Sequence, residues 1–303
     1  MIYTVTLNPA LDYIMYSDDI ALGKINRSSH ESLYFGGKGI NVSFILNELG
    51  VKSVATGFVA GFTGDALVSA VSVFAKPDFV NLESGMTRIN VKLRAESETD
   101  INAAGPKVTE SDTERLFEKL EKVEKGDTVV LSGSVPQNIP TDIYGKIMQK
   151  LSRRGAKFAV DTSGETLVNS LKFSPFLIKP NLEELSEIFG TEITKQNAAH
   201  YAEKLLSLGA QNVLVSMGKD GAQLYCKSGE SLFMPSLSGK TVNTVGAGDS
   251  MLAGFLAGYE KTGDFRHALR LGTAAGGATA FSEGLATGNK IRDAESEIRN
   301  YSL

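Results

Sequence analysis

The 303-residue sequence contains a single cysteine, Cys226, and no tryptophan. One cysteine cannot form an intramolecular disulfide, and its short strand-like surroundings favour a bystander thiol over a nucleophile. The three histidines, His30, His200 and His267, are too scattered to show the ligand spacing of a zinc site. The sequence therefore excludes a disulfide scaffold and offers no sign of a zinc enzyme.

Long hydrophobic runs and an excess of charge are also missing. The apolar runs are interrupted before they reach membrane-spanning length, and the first residues form a strand pattern without the basic region of a signal peptide. The formal net charge is −4, so no global basic field would attract nucleic acid or an acidic membrane. We expect a cytoplasmic protein that binds small molecules and neither nucleic acid nor membrane.

The organisation of the chain follows from the spacing of its apolar residues, which make up 42% of the sequence. Runs typical of buried parallel strands occur at 54–58, 128–132, 157–161, 176–179 and 212–216. Amphipathic helical spacing lies between them, after Gly39, over 116–123 and over 143–151. This alternation predicts an α/β fold with a mostly parallel sheet covered by helices on both faces.

Two segments, 3–35 and 88–103, contain strand patterns without a long helix between them. In the second segment Arg88, Asn90 and Lys92 alternate with apolar residues, which places the three polar side chains on one face. A small sheet with such a face is suited to cover a charged ligand. No linker or repeat divides the sequence, so we predict a single domain, 1–303, with a lid built from segments within these two stretches.

The most informative motif is N-T-V-G-A-G-D at 243–249, immediately before an apolar helical stretch. Gly246, Ala247 and Gly248 permit a tight turn whose N–H groups, together with the helix dipole, can bind an anion. Asp249 is suited to accept the proton of an attacking hydroxyl while these amides stabilise a transferred phosphoryl group. A structural role is the alternative, since Asp is favoured near helix N-termini.

A second glycine-rich motif, G-G-K-G-I-N, opens the first amphipathic helix. Gly36 and Gly37 allow close backbone approach, while Lys38 and Asn41 supply a cation and an amide at a helix N-terminus. A flexible loop with a solvated lysine would have the same spacing. No Walker A pattern occurs in the sequence.

The two motifs, in this order, resemble the N-terminal and C-terminal signatures of the ribokinase/PfkB-type carbohydrate kinases. The resemblance implies a ribokinase-like three-layer α/β sandwich with a central, mostly parallel sheet and a small β-sheet lid. It implies phosphoryl transfer from ATP to a sugar, with Mg²⁺ as the metal and Asp249 as the general base. Gly246, Ala247 and Gly248 would form the anion hole, and residues 36–41 would bind the sugar.

Three further runs extend the resemblance. Residues 6–12 are similar to the opening strand of the phosphofructokinase-like branch, in which the aspartate, here Asp12, bonds sugar hydroxyls. Asn181 and Glu184 match an N-x-x-E element that orders Mg²⁺, here expected to act through water. The resemblance assigns the nucleotide to Lys179, Asn181, Ser216, Gly218, Gly221 and Gly248.

The identity of the sugar depends on Arg88, Asn90 and Lys92. Paired cations on one strand face either protect a solvated edge or bind an anion. The run T-R-I-N-V-K resembles the fructose-1-phosphate branch of the family, which implies conversion of D-fructose 1-phosphate to fructose 1,6-bisphosphate. Lys24 and Arg27 would add charge to the phosphate site.

Other functions stay open at this point. Spacing does not resolve where an existing phosphate lies, so a kinase for tagatose 6-phosphate or fructose 6-phosphate is an alternative. A non-catalytic sugar-phosphate sensor is an alternative of another class, although it would have no need of an intact Asp249. Because lid strands in this family commonly pair, the resemblance also implies a homodimer through the lid.

Overall fold

A computed structural model describes residues 1–301 of the chain. The strands are β1 (Ile2–Thr6), β2 (Ala10–Tyr16), β3 (His30–Gly36), β4 (Ser53–Ala60), β5 (Lys76–Pro77), β6 (Val80–Leu82), β7 (Arg88–Arg94), β8 (Glu98–Ile101), β9 (Thr128–Ser132), β10 (Lys157–Asp161), β11 (Leu177–Ile178), β12 (Asn212–Ser216), β13 (Ala222–Cys226) and β14 (Ser231–Met234). The helices are α1 (Lys38–Glu48), α2 (Gly61–Val71), α3 (Glu110–Leu120), α4 (Ile143–Leu151), α5 (Gly164–Leu171), α6 (Leu182–Phe189), α7 (Ala198–Ser207), α8 (Ala247–Thr262), α9 (Phe265–Ala280) and α10 (Gly288–Tyr301). Short 3₁₀ turns lie at Ser152–Arg154 and Gly218–Asp220.

The central sheet has the strand order β14-β13-β12-β11-β10-β9-β1-β4-β5, with β6 also paired to β4. Its strands are parallel from β12 to β5, whereas β13 and β14 add antiparallel strands at one edge. The predicted strands at 128–132, 157–161 and 212–216 are confirmed with the same bounds. The run at 176–179 forms a strand of only two residues, β11, and the run at 54–58 extends to the eight residues of β4.

Both faces of this sheet are buried by helices. Val129 and Leu131 of β9 pack into a core with α3, α4, α5 and α7, while Val130 packs into a second core with α1, α8, α9 and α10. Because neighbouring residues of a strand point to opposite faces, one strand contributes to both cores. The result is the predicted three-layer arrangement.

A separate four-stranded sheet, in the order β3-β2-β7-β8, forms the lid. The register of β2 and β7 pairs Ala10 with Arg88 and Asp12 with Asn90, which places all four on one face. The first part of the segment 3–35 does not belong to the lid. Residues 3–6 lie in β1 of the central sheet, where pairing with β4 and β9 on both sides buries most of their side chains.

None of the helices within residues 1–301 combines the length and apolar character that a bilayer crossing needs. Cys226 is buried in β13, and burial together with the nearby Glu230 raises the pKa of its thiol to about 11. The thiol is therefore protonated at neutral pH, as a bystander cysteine would be.

Candidate active site

The site lies at the carboxyl ends of the parallel strands, where open α/β sheets bind their ligands. A cavity of about 610 Å³ opens there between the central sheet and the lid. It brings together most of the residues that the sequence indicated, namely Asp12, Gly37, Lys38, Asn41, Arg88, Asn90, Lys179, Asn181, Glu184, Ser216, Gly246, Gly248 and Asp249.

Asp249 occupies the first turn of α8 and is only 6% exposed. The turn before it depends on Gly246, which caps the helix in the left-handed conformation at φ 79°. The side-chain amide of Asn41, from α1, donates a 2.7 Å hydrogen bond to Oδ2 of Asp249. The two glycine-rich motifs are thus in direct contact, and the N-termini of α1 and α8 meet at one carboxylate.

In the turn that was predicted to bind an anion, not every amide is free. The N–H of Ala247 donates to the carbonyl of Thr244 at 3.2 Å, because the turn around Gly246 closes on itself. Within residues 1–301, the N–H groups of Gly248 and Asp249 have no such acceptor. These two amides are therefore the ones available to an oxyanion at this helix N-terminus.

A buried carboxylate organises the cations of the cavity floor. Oδ1 of Asp161, at the end of β10, lies 3.2 Å from Nζ of Lys38 and 3.4 Å from Nζ of Lys179. Burial opposes ionisation of Asp161, but Lys179 and Lys38 outweigh it and lower the pKa of this carboxyl. Burial likewise opposes the charge of Lys38, yet Asp161, Asp249 and Glu184 raise the pKa of its ammonium group. The side chains of Lys38 and Lys179 are thus held against one carboxylate at the cavity floor.

The same surroundings raise the pKa of the Asp249 carboxyl. Burial and the charge of Asp161 raise its pKa to about 6, while Lys38, the Asn41 hydrogen bond and Lys179 act in the opposite direction. A carboxylate with a pKa near 6 is still ionised at neutral pH and is a better proton acceptor than an exposed aspartate.

Asn181 and Glu184 form a capping box at the start of α6. The N–H of Glu184 donates to Oδ1 of Asn181 at 2.7 Å, and the N–H of Asn181 donates to Oε2 of Glu184 at 2.9 Å. This local structural role accounts for both residue types. The second carboxylate oxygen of Glu184 remains outside the cap, 3.9 Å from Nζ of Lys38.

A second cavity of about 290 Å³ adjoins the first and shares Asn181, Ser216 and Gly248 with it. Gly218 and Gly221 of the loop after β12 line one side. The other side includes Ala247 at the start of α8 and the small residues of α9. The predicted nucleotide residues, except Lys179, thus line this second cavity, here called the nucleotide groove, which adjoins the main cavity that Asp249 lines.

The lid residues divide into two groups. Arg88 and Asn90 face the main cavity, whereas Lys92 lines an outer cavity, where its Nζ is 2.8 Å from Oδ2 of Asp100. Gly36 also lines the outer cavity. The structure therefore does not bring Lys92 to the same position as Arg88, because an acidic partner on β8 already pairs with it.

Two other predicted residues are not brought into the site. Lys24 and Arg27 lie in the exposed loop 17–29 between β2 and β3 and line none of the three cavities described here. They were included in the predicted site only because of their positive charge, and the charge of a residue does not determine the conformation of a long loop.

The sequence prediction also missed residues that the structure places in or under the site. Asp161 ends a predicted strand, and its position was the one available signal, but its pairing with Lys38 and Lys179 spans long stretches of chain. Asn8, just after β1, also lines the main cavity. It lies within the run 6–12, in which only Asp12 was assigned to the site.

A lidded α/β sandwich with a buried carboxylate beside free N–H groups at a helix N-terminus is typical of sugar kinases of the ribokinase-like class. Comparison with known proteins agrees: residues 5–292 match the pfkB family of carbohydrate kinases. The chain belongs to this family.

Relatives of known activity cover the whole chain. It is 45% identical to 1-phosphofructokinase of Bacillus subtilis over 99% of both sequences. It is 36% identical to D-tagatose-1-phosphate kinase of Bacillus licheniformis, also over 99% of both.

Solved structures confirm the fold. Phosphofructokinase-2 of Escherichia coli, in complex with substrates and products, superimposes with a TM-score of 0.91 at 27% identity, over 98% of this chain and 99% of that one. Ribokinase of Arabidopsis thaliana, 17% identical, has the same fold with a TM-score of 0.78, over 97% of this chain and 98% of that one.

Proposed function

We propose that this carbohydrate kinase phosphorylates D-fructose 1-phosphate with ATP and forms fructose 1,6-bisphosphate. One observation carries the choice of a phosphorylated sugar. Arg88 faces the main cavity, and no carboxylate within residues 1–301 forms an ion pair with it. The similarity to the 1-phosphofructokinase of Bacillus subtilis supports the same substrate. Dependence on ATP favours a cytoplasmic location.

In the proposed reaction, Asp249 accepts the proton of the C6 hydroxyl while this oxygen attacks the γ-phosphorus. The bond from C6 oxygen to phosphorus forms, the bond to the β,γ-bridging oxygen breaks, and ADP leaves with the electron pair. The free amides of Gly248 and Asp249 would donate to the phosphoryl oxygens, on which negative charge accumulates. Lys179 would add a fixed positive charge beside them, since its Nζ lies 3.0 Å from where a β-carbon on Gly248 would be.

The donor set fits Mg²⁺ bound largely through water and phosphate. Within residues 1–301, no group of three His, Cys, Asp or Glu side chains is arranged to hold a metal ion. The oxygen of Glu184 outside the capping box is free for a metal-bound water, whereas Oδ1 of Asn181 accepts a helix hydrogen bond. Magnesium, which keeps several waters in nucleotide sites, would neutralise the β- and γ-phosphates.

Turnover of ATP with a panel of hexose phosphates tests the proposal and its rivals. We expect D-fructose 1-phosphate to give the highest kcat/KM. D-tagatose 1-phosphate, the substrate named for the relative from Bacillus licheniformis, is the first competitor to include. A higher kcat/KM for tagatose 6-phosphate or fructose 6-phosphate would mean that this sugar phosphate, and not D-fructose 1-phosphate, is the substrate. Binding of a sugar phosphate without any turnover would indicate a sensor.

Substitution of Arg88 by alanine should raise KM for the sugar phosphate by about 10- to 150-fold. The expected loss is a charge-assisted hydrogen bond to phosphate, worth about 1.5–3 kcal/mol, at about 1.4 kcal/mol per tenfold. KM for ATP should change little, because the nucleotide groove does not include this strand. Steady-state kinetics with each substrate varied in turn measures the difference.

The same strand provides a matched control. Arg94 has the same charge and faces the same side of β7, but it pairs with Asp100 at 2.9 Å and lines the outer cavity. Arg94→Ala should therefore leave both constants near those of the wild type. If Arg88→Ala raised KM for ATP as much as KM for the sugar phosphate, the defect would be general. That result would remove the argument for a phosphorylated sugar.

We also propose that the protein is a homodimer whose subunits meet through their lids. The lid face that points away from the cavity carries apolar side chains, and Leu33 and Ile101 on it are 48% and 56% exposed. A second copy of the same face is the simplest partner for it. Escherichia coli phosphofructokinase-2 has been solved in a tetrameric form, so assembly occurs in a relative.

Sedimentation velocity tests the lid dimer directly. The wild type should sediment as a dimer, and Leu33→Asp/Ile101→Asp should sediment as a folded monomer, since four buried charges would face one another. Val73→Asp, at an exposed apolar residue on the central domain, is the control and should stay dimeric. A wild type that is monomeric at micromolar concentration contradicts this assembly.

A further inference from the structure

The chain returns from the lid to the central domain through residues 102–109, the return segment, which connects β8 to α3. The side chains of Ala103 and Ala104 are small and exposed, and the segment contains no regular secondary structure. Such a connection would ordinarily be mobile. Here, side chains that line the main cavity hold it in place.

Three side chains make these contacts. Nδ2 of Asn8 donates to the carbonyl of Ala104 at 3.0 Å, and Nη1 of Arg88 donates to the carbonyl of Ala103 at 3.3 Å. Oδ1 of Asn90 accepts the N–H of Ala103 at 3.2 Å. The segment is thus bound on consecutive peptide groups by residues from β7 and from the turn after β1.

Asn8 is the central member of this set. It is buried, and its own backbone carbonyl accepts a 3.0 Å hydrogen bond from Nη2 of Arg88. The guanidinium group of Arg88 is therefore held from two sides, by the backbone carbonyl of Asn8 and by the carbonyl of Ala103. The side chain of Asn8 also helps to fix Ala103, because it binds the carbonyl of the next residue, Ala104. The Nε–H of Arg88 is buried and has no partner in the described part of the chain.

Gly105 shows how closely the segment fits against Asn8. Its φ is +90°, and a β-carbon there would overlap Oδ1 of Asn8. A glycine is needed for both the backbone angle and the contact. Two independent features of the segment, a hydrogen bond and a close approach, therefore involve the same buried side chain.

We propose that Asn8 is a positioning residue for the sugar phosphate: it fixes the return segment and, through Ala103, the orientation of Arg88 toward the cavity. The inference rests on the proposed function insofar as Arg88 binds the phosphate of the sugar. It extends the site to a residue and a segment that contact no part of the nucleotide groove.

Kinetics of Asn8→Ala test the positioning role. Loss of one neutral hydrogen bond should raise KM for D-fructose 1-phosphate by about 2- to 12-fold, while kcat and KM for ATP stay within about twofold. Gly105→Ala should raise the same constant. In the double variant Asn8→Ala/Gly105→Ala, the rise in KM should be smaller than the product of the rises in the two single variants. The reason is that the β-carbon of Ala at position 105 no longer overlaps Oδ1 of Asn8.

Asn138→Ala is the matched control. The side chain of Asn138 ties the same segment at Val108, with hydrogen bonds of 2.5 and 3.4 Å, but it lines none of the three cavities. A purely structural role of the segment predicts equal effects of Asn8→Ala and Asn138→Ala on KM, and that result would overturn the proposal. So would an equal rise of the two Michaelis constants in Asn8→Ala.

Hydrogen–deuterium exchange separates this inference from the proposed function. The amide of Ala103 should exchange faster in Asn8→Ala than in Asn138→Ala, whatever substrate the enzyme uses. If the wild type turns over no hexose phosphate, the proposed function fails, while the exchange result still tests whether Asn8 holds the return segment. Unchanged exchange in Asn8→Ala, or faster exchange with an unchanged KM for a sugar phosphate that the wild type does use, would refute the role of Asn8.

Discussion

Replacement of Asp249 by asparagine should lower kcat by about 10²–10⁴-fold, the usual contribution of a positioned general base. The fold should persist, because an asparagine carbonyl can accept the same hydrogen bond from Asn41 that Oδ2 accepts now. Loss of a buried negative charge close to Asp161 should not reduce stability, since the two carboxylates repel each other. Steady-state rates and thermal unfolding of the same preparations measure both effects.

The pH profile gives an independent check on Asp249. In the proposed reaction the ionised carboxylate is the active form, and its pKa is about 6, so kcat/KM should be level well above that pH and should fall below it. A phosphate monoester ionises in the same range, so the part of the fall that belongs to Asp249 is the part that disappears in Asp249→Asn.

The control for charge removal is Asp65→Asn, at an exposed residue of α2 outside all three cavities. It should have wild-type kinetics. Near-normal kcat in Asp249→Asn, or an unaltered pH profile, would mean that another group accepts the proton.

Replacement of Gly248 by valine should reduce kcat by about 10²–10³-fold for a different reason. A β-carbon at this residue would lie 3.0 Å from Nζ of Lys179, so the lysine or the first turn of α8 must move. Either movement would displace a donor that the proposed reaction assigns to the transferred phosphoryl group, and loss of one such donor costs roughly this factor.

Gly248→Ala provides a graded comparison. Alanine introduces the contact with Lys179 without the additional methyl groups of valine, so its kcat should lie between those of the wild type and Gly248→Val. Circular dichroism and ATP binding establish that each variant is folded. Wild-type turnover in a folded Gly248→Val protein would show that this turn takes no part in the transition state.

Much of the fold was predictable because the relevant physics is local. Strands at 128–132, 157–161 and 212–216 follow from short apolar runs between helical patterns. The burial of both faces of the central sheet follows from the same runs. The helix that begins beside Asp249 was predictable from small residues before an apolar stretch. The length of a strand was harder to predict. The apolar run 176–179 has four residues, but only Leu177 and Ile178 pair with neighbouring strands.

The sequence by itself determined the three-layer fold, the glycine-rich turns and the position of Asp249 at a helix N-terminus, since each depends on residues close together in the chain. Only the tertiary structure decided which charges meet. Lys38 and Lys179 share Asp161, and Lys92 pairs with Asp100 outside the main cavity. The cations of loop 17–29 line none of the three cavities. The contact between Asn41 and Asp249 joins residues 208 positions apart. Such pairings depend on how strands and helices are stacked, and the charge or polarity of a residue does not specify its partner.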